Sequence, residues 1–174
     1  DDEKEIKDRL DDNKRKDDEM TKRAEDELRK NLETTKEALR DIKRKLDRLR
    51  EKVERNNLDE KTLKEIEDVL RTIEEEARRL LEDSKRVHRE IEERMKRLND
   101  DSKRVHEDIK RALDGGVRRE ELEKIVRDLH KRNKEVIDDI RRLIDELHKR
   151  DRETIKRLEE IVRRADEKIK EKAR

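Results

Sequence analysis

A chain of 174 residues that is 61% charged and only 27% hydrophobic cannot fill a thick globular core, and Phe, Tyr, Trp, Pro and Cys are all missing. Lys and Arg total 54 against 53 Asp and Glu, so a net charge of +1 gives no electrostatic reason to seek nucleic acid or an anionic membrane. The lack of cysteine excludes a disulfide framework and thiolate chemistry, and no apolar run approaches the roughly 18 residues that span a bilayer.

Disordered chains share this composition, so periodicity has to decide whether the chain folds. The first element is a helix over about 2–56, in which Leu10 recurs as Leu28 and Leu46, and Asn13 as Asn31, at a spacing of eighteen residues. Eighteen residues are five turns of an ideal helix. The run Asn56, Asn57, Leu58 interrupts it, after which Asp59 is a good N-cap and Leu58 is expected to staple onto Leu63. A second helix over about 59–113 repeats Asp83 to His88 residue for residue as Asp101 to His106.

Asp114, Gly115 and Gly116 then form a break, with glycine supplying the left-handed conformation that ends a helix and Val117 expected to staple onto Leu122. The third helix, over about 118–173, repeats Leu129 to Arg132 as Leu147 to Arg150. Its face Leu122, Val126, His130, Asn133, Ile137, Ile140, Ile144, His148, Asp151, Ile155, Leu158, Val162 and Ile169 keeps close to 3.6 residues per turn, the phase of a straight helix. The apolar phase also runs without a jump through Asn31 to Thr35 and Leu98 to Ser102, which are therefore helix interior.

Helices of about 55 residues rise roughly 80 Å, and short connections make neighbours antiparallel. The expected fold is all-α: one domain over 1–174, an antiparallel up-down-up three-helix bundle of long, nearly straight helices.

The polar residues in core phase are the most informative feature. Reflection about the two loops aligns Asn31 with Ser84 and His148, and Asn13 with Ser102 and His130. One turn further, Thr35 and Asp151 approach the first layer, Asp17 and Asn133 the second, with His88 and His106 flanking them on the second helix. Amide, hydroxyl and imidazole groups each both donate and accept, so two buried hydrogen-bond networks are expected. An unsatisfied member would cost about 1–3 kcal/mol, so these networks would penalise misregistered pairing. Near the first loop, Leu49, Val53, Ile66, Leu70, Ala165 and Ile169 make an ordinary apolar layer instead.

Three even helices, core layers of Asn, Ser and His, and a charge-filled surface resemble de novo designed helical bundles with modular buried hydrogen-bond networks, in the style of parametric three-helix bundles. Copying at a period of eighteen residues in each helix, and the lack of proline where about 5% is usual, agree with a sequence chosen under rules. The resemblance implies a scaffold or assembly component, sometimes a pH-responsive one, without a natural substrate. With no signal-peptide character from Asp1 to Lys4 and no spanning run, the chain is expected to be soluble and untargeted, cytoplasmic in an expression host.

No catalytic site, cofactor or small-molecule substrate is expected. Ser84 and Ser102 lie near histidines but lack an exposed elbow and an oxyanion hole, and Gly115 with Gly116 is a turn, since no Lys-Ser or Lys-Thr follows. His130 with Asn133 and His148 with Asp151 sit one turn apart, but Asn is a poor zinc ligand and no helix carries two histidines at i, i+4, so no metal is expected either. Basic pairs such as Arg141 with Arg142 and Arg163 with Arg164 are matched by acids one turn away, which argues against a nucleic-acid face.

The leading expectation is a self-contained single chain acting as a rigid scaffold. Two alternatives stand beside it. Histidines that charge on mild acidification would make the networks a pH switch. Adjacent apolar pairs on the third helix, Ile125 with Val126, Val136 with Ile137, Leu143 with Ile144 and Ile161 with Val162, widen its stripe and would suit a hetero- or homo-oligomer. A spectrin-like natural spacer is a lower alternative, because such repeats bury aromatics.

Overall fold

A computed structural model describes residues 2–173. Among them the chain forms three long helices, α1 (Asp2–Arg55), α2 (Glu60–Asp114) and α3 (Arg119–Lys172). The three pack against one another as an all-α three-helix bundle, and the described residues contain no strand. The ends agree with the sequence pattern to within one residue. Asn31 to Thr35 and Leu98 to Ser102 are helical.

Backbone chemistry explains both breaks. At the first, the Asn56 side chain donates to the Lys52 carbonyl at 2.8 Å. Asp59 then caps α2, its Oδ1 accepting from the Thr62 backbone N–H at 3.2 Å. Leu58 packs, half-buried, against the apolar core.

At the second break, Gly116 N–H donates to the Leu113 carbonyl at 3.3 Å and Val117 N–H to the Ala112 carbonyl at 3.2 Å. This is the Schellman arrangement, and Gly116 takes the positive φ of 78° that it needs. At the start of α3, Leu122 is buried and Val117 is 43% exposed. The 6→1 bond points its backbone back at α2 while its side chain faces water.

Contacts gather into two compact units, each drawing on all three helices. Unit 2 comprises Lys30–Val87 and Glu146–Arg174. Its core runs from Leu39 to Leu49 on α1, Ile66 to Leu80 on α2 and Ile155 to Ile169 on α3, with Ile73 and Leu158 fully enclosed. The apolar layer of Leu49, Ile66, Leu70, Ala165 and Ile169 forms as the sequence implies, with Val53 packed at its edge. Burial at about 25 cal/mol per Å² of apolar surface makes each such Leu or Ile worth about 1.5–3 kcal/mol.

Unit 1 comprises Asp1–Arg29 and His88–Asp145. Its apolar cluster, Ile6, Leu10, Ile109, Leu113, Leu122, Val126 and Leu129, lies beside the glycine turn. Between Leu10 and Ala24, α1 presents only Asp17 and Thr21 as fully buried side chains, so this stretch depends on polar contacts.

Ion pairs fix the helix directions within each unit. In unit 1, Lys7 meets Asp114 and Lys110 meets Asp11, which makes α1 and α2 antiparallel, while Arg119 meets Glu5 and Arg141 meets Glu27, which makes α1 and α3 parallel. In unit 2, Arg50 meets Glu74, and Lys168 and Arg157 of α3 meet Glu65 and Glu76 of α2. Most such pairs are exposed and contribute under about 1 kcal/mol each.

The least exposed of the inter-helix pairs that titrates away from its ordinary value is Lys52 with Asp166. A hydrogen bond of 2.7 Å from Lys52 Nζ, aided by one from Lys170, holds the Asp166 carboxyl below its ordinary 3.8 against the opposing effect of burial. A carboxylate whose folded value is depressed contributes stability that is present above the unfolded value and lost as pH falls through the folded one. Lys52→Gln is therefore expected to cost under about 1 kcal/mol near neutral pH, with the difference from the parent shrinking and then vanishing as pH falls below the ordinary carboxylate range, read in denaturant titrations at several pH values. At the second break, Gly116→Ala is expected to destabilise by about 1 kcal/mol through the positive φ, whereas Gly115→Ala, whose added methyl would sit 3.4 Å from the Arg111 carbonyl, is near neutral. Guanidinium melts of the two variants would check this.

Candidate functional site

Helical phase carries the polar residues inward because they occupy positions that Leu or Ile fill elsewhere in the same five-turn repeat. In unit 2 the centre is Asp151 of α3, only 1% exposed. Its Oδ2 accepts from Asn31 Nδ2 at 3.2 Å, Thr35 Oγ1 at 3.2 Å and Ser84 Oγ at 2.9 Å. Donors therefore reach it from both α1 and α2.

A carboxylate only accepts, so Asn31 must turn its NH2 toward Asp151 and its carbonyl away. That carbonyl lies 2.8 Å from His148 Nδ1, which must then carry the proton and donate. Polarity is thus dictated outward from one buried charge to a ring at the surface. His148 as a whole is exposed, not buried as the layer pattern implies. It stands on the flank of the α3 stripe, where the face turns to solvent and only the Nδ1 edge reaches in.

Unit 1 builds the same chemistry with the acid and amide exchanged between helices. Here the carboxylate is Asp17 on α1 and the amide is Asn133 on α3, both buried. Asn133 Nδ2 donates to Asp17 Oδ2 at 3.1 Å and to Ser102 Oγ of α2 at 3.2 Å. His106, 4% exposed, directs Nδ1 at the Ser102 carbonyl 2.6 Å away, with the Ser102 hydroxyl at 3.4 Å. The nitrogen facing that hydroxyl therefore carries a proton, so it is not the base that a serine nucleophile needs.

This second cluster is less complete. His130 Nδ1 stops 3.8 Å from Asp17 Oδ1, beyond hydrogen-bond range. Asp17 Oδ1, His106 Nε2 and His130 Nδ1 are each enclosed without a hydrogen-bond partner. His130, like His148, lies on the flank of α3 and is half-buried.

Of the remaining residues the pattern singles out, His88 is buried and places Nε2 3.3 Å from Glu92 Oε1 on its own helix. Asn13 does not join the cluster: it is half-buried and borders a shallow hollow with Arg9, Asp12 and Arg127. The α1 position one turn on, Asp17, takes the inward place, because it lies nearer the middle of the stripe defined by Leu10 and Ala24.

The sequence reading missed Thr21, which is 4% exposed and donates to the Asp17 carbonyl at 2.9 Å. Its core phase, one turn after Asp17, was the available signal. Among the described residues no group of three or more His, Asp or Glu is placed to hold a metal ion, and no helix is long and apolar enough to cross a membrane.

No family model, curated protein or solved structure matches the chain.

The unequal completeness of the clusters sets their sensitivity. Asp151→Ala strands three donors in a dry site and is expected to cost about 3–5 kcal/mol. Asp17→Ala strands fewer and also removes an enclosed, unpartnered oxygen, so its cost should be about half as large or less. Chemical denaturation of the two variants side by side gives the ranking; an equal or larger loss for Asp17→Ala would contradict it.

Proposed function

We propose that this chain is a structural protein, a helical-bundle scaffold of the de novo designed kind that its sequence resembles, and that its two buried polar clusters serve to set the register and pairing of the helices. The observation that carries the reading is the single Asp151 oxygen taking three hydrogen bonds from α1 and α2. Such a group is satisfied in one arrangement of three helices and stranded in others, whereas Leu and Ile layers repeated every five turns are nearly interchangeable. Buried polar groups of this kind give specificity at a cost in stability.

Apolar replacement of a cluster separates stability from uniqueness. Replacing the unit 2 cluster by apolar residues (Asn31→Leu, Thr35→Val, Ser84→Ala and Asp151→Leu) is expected to leave the chain helical and at least as resistant to guanidinium. It should also broaden the amide spectrum or produce species of more than one mass in light scattering. A variant with one sharp spectrum and the mass of the parent would mean that the apolar pattern alone sets the register, and the proposal would fall.

A further inference from the structure

Unit 1 also carries a groove of about 650 Å³ between α2 and α3, which opens outward from the Ser102–Asn133 edge of the polar cluster. Its floor is apolar, made by Leu98 and Val105 of α2 with Leu129, Val136 and Ile140 of α3, and Ser102 and Asn133 lie at its base. Leu98, Val105 and Val136 are half-buried. Ile125, 43% exposed, stands on the same face of α3, three turns before Val136 and five before Leu143. This is a second apolar stripe beside the one that closes the bundle.

The corresponding hollow of unit 2 is different. It is lined by Glu76, Arg79, Asp83, Arg150 and Arg157 around Leu80, and an ion pair from Arg157 to Glu76 joins its two helices. An open apolar floor between α2 and α3 is thus a property of unit 1.

The rim says what would cover it. Arg94, Arg97, Arg104 and Arg132 border the groove against only Asp101 and Asp139. Arg97 already pairs with Glu93 and Arg104 with Asp101. Arg94 and Arg132 make no ion pair or hydrogen bond among the described residues. The lining on each helix spans twelve residues, Arg94–Val105 and Leu129–Ile140, or about 18 Å of helix.

The geometry points to a docking site for one short amphipathic helix of about three to four turns, apolar on one face and acidic along both flanks. Its apolar residues at i, i+3 and i+7 would cover Leu98, Val105 and Val136, and its carboxylates would meet Arg94 and Arg132. A second copy of this chain fits less well, because its 54 basic and 53 acidic residues are interleaved and offer no face with acidic flanks on both sides.

Fluorescence anisotropy with the full chain tests this, using a labelled fourteen-residue probe with Leu at i, i+3, i+7 and i+10 and Glu on both flanks, and a second probe with Lys in place of Glu. The Glu probe is expected to bind saturably and at least about tenfold more tightly than the Lys probe, with the gap narrowing as salt rises. Val136→Asp should abolish binding while circular dichroism stays unchanged. The double change Arg94→Glu with Arg132→Glu alters only exposed residues and should reverse the preference between the two probes. Equal binding of both probes, or of neither, would overturn the proposal. So would a dimeric mass in light scattering that Val136→Asp returns to a single chain, since the groove would then be a face between two copies.

Discussion

A carboxylate accepts hydrogen bonds and cannot donate them, and at Asp151 that asymmetry propagates through an entire cross-section of unit 2. Because Oδ2 takes its three bonds from Asn31, Thr35 and Ser84, the amide of Asn31 is oriented, and because that amide is oriented the proton on His148 is placed. Helix α1 contributes two of the donors and α2 the third. The apolar layers on either side supply the energy of burial, but they would tolerate neighbours of similar volume. The carboxylate tolerates only donors, at one height and from fixed directions.

Unit 1 applies the same chemistry with fewer bonds, and its composition shows the consequence. Asp17 receives one side-chain hydrogen bond where Asp151 receives three, and an oxygen and two ring nitrogens around it are enclosed without partners. The same unit has the smaller apolar cluster and, between Leu10 and Ala24, a stretch of α1 held by Asp17 and Thr21. Local opening by breathing of the helices is governed by buried apolar contact and satisfied bonds. On the second count unit 1 is the softer of the two, and it is also the one with the open groove.

Much of this was legible in the sequence for a simple reason. In a chain with no proline and two glycines, a helix ends only where Asn56 and Asn57 or Gly115 and Gly116 allow it. A phase of 3.6 residues then says which side chains face inward, and Asp17, Asn31, Thr35, Ser84, Asn133 and Asp151 do so. What phase does not resolve is the edge of a stripe. His130 and His148 share a position five turns apart at that edge, where a long ring can keep one nitrogen inside and the rest in water. Asn13 and Asp17 both fit the α1 stripe, and choosing between them needs the depth of the neighbouring helices, which one chain read alone does not contain.

The exchange of acid and amide between the two clusters has a consequence for error. An eighteen-residue period means that α1 could slide by five turns, about 27 Å, against α3 and find its apolar residues facing apolar residues again. Helix α2 would not object, since Ser84 and His88 are duplicated as Ser102 and His106. The polar positions would. Shifted one way, Asp17 meets Asp151 and two negative charges are pressed together in a dry site; shifted the other, Asn31 and Thr35 meet Asn133 with no carboxylate to receive their protons. Alternating which helix carries the acid acts as a parity bit, so that a repeat built for regularity still has one correct alignment.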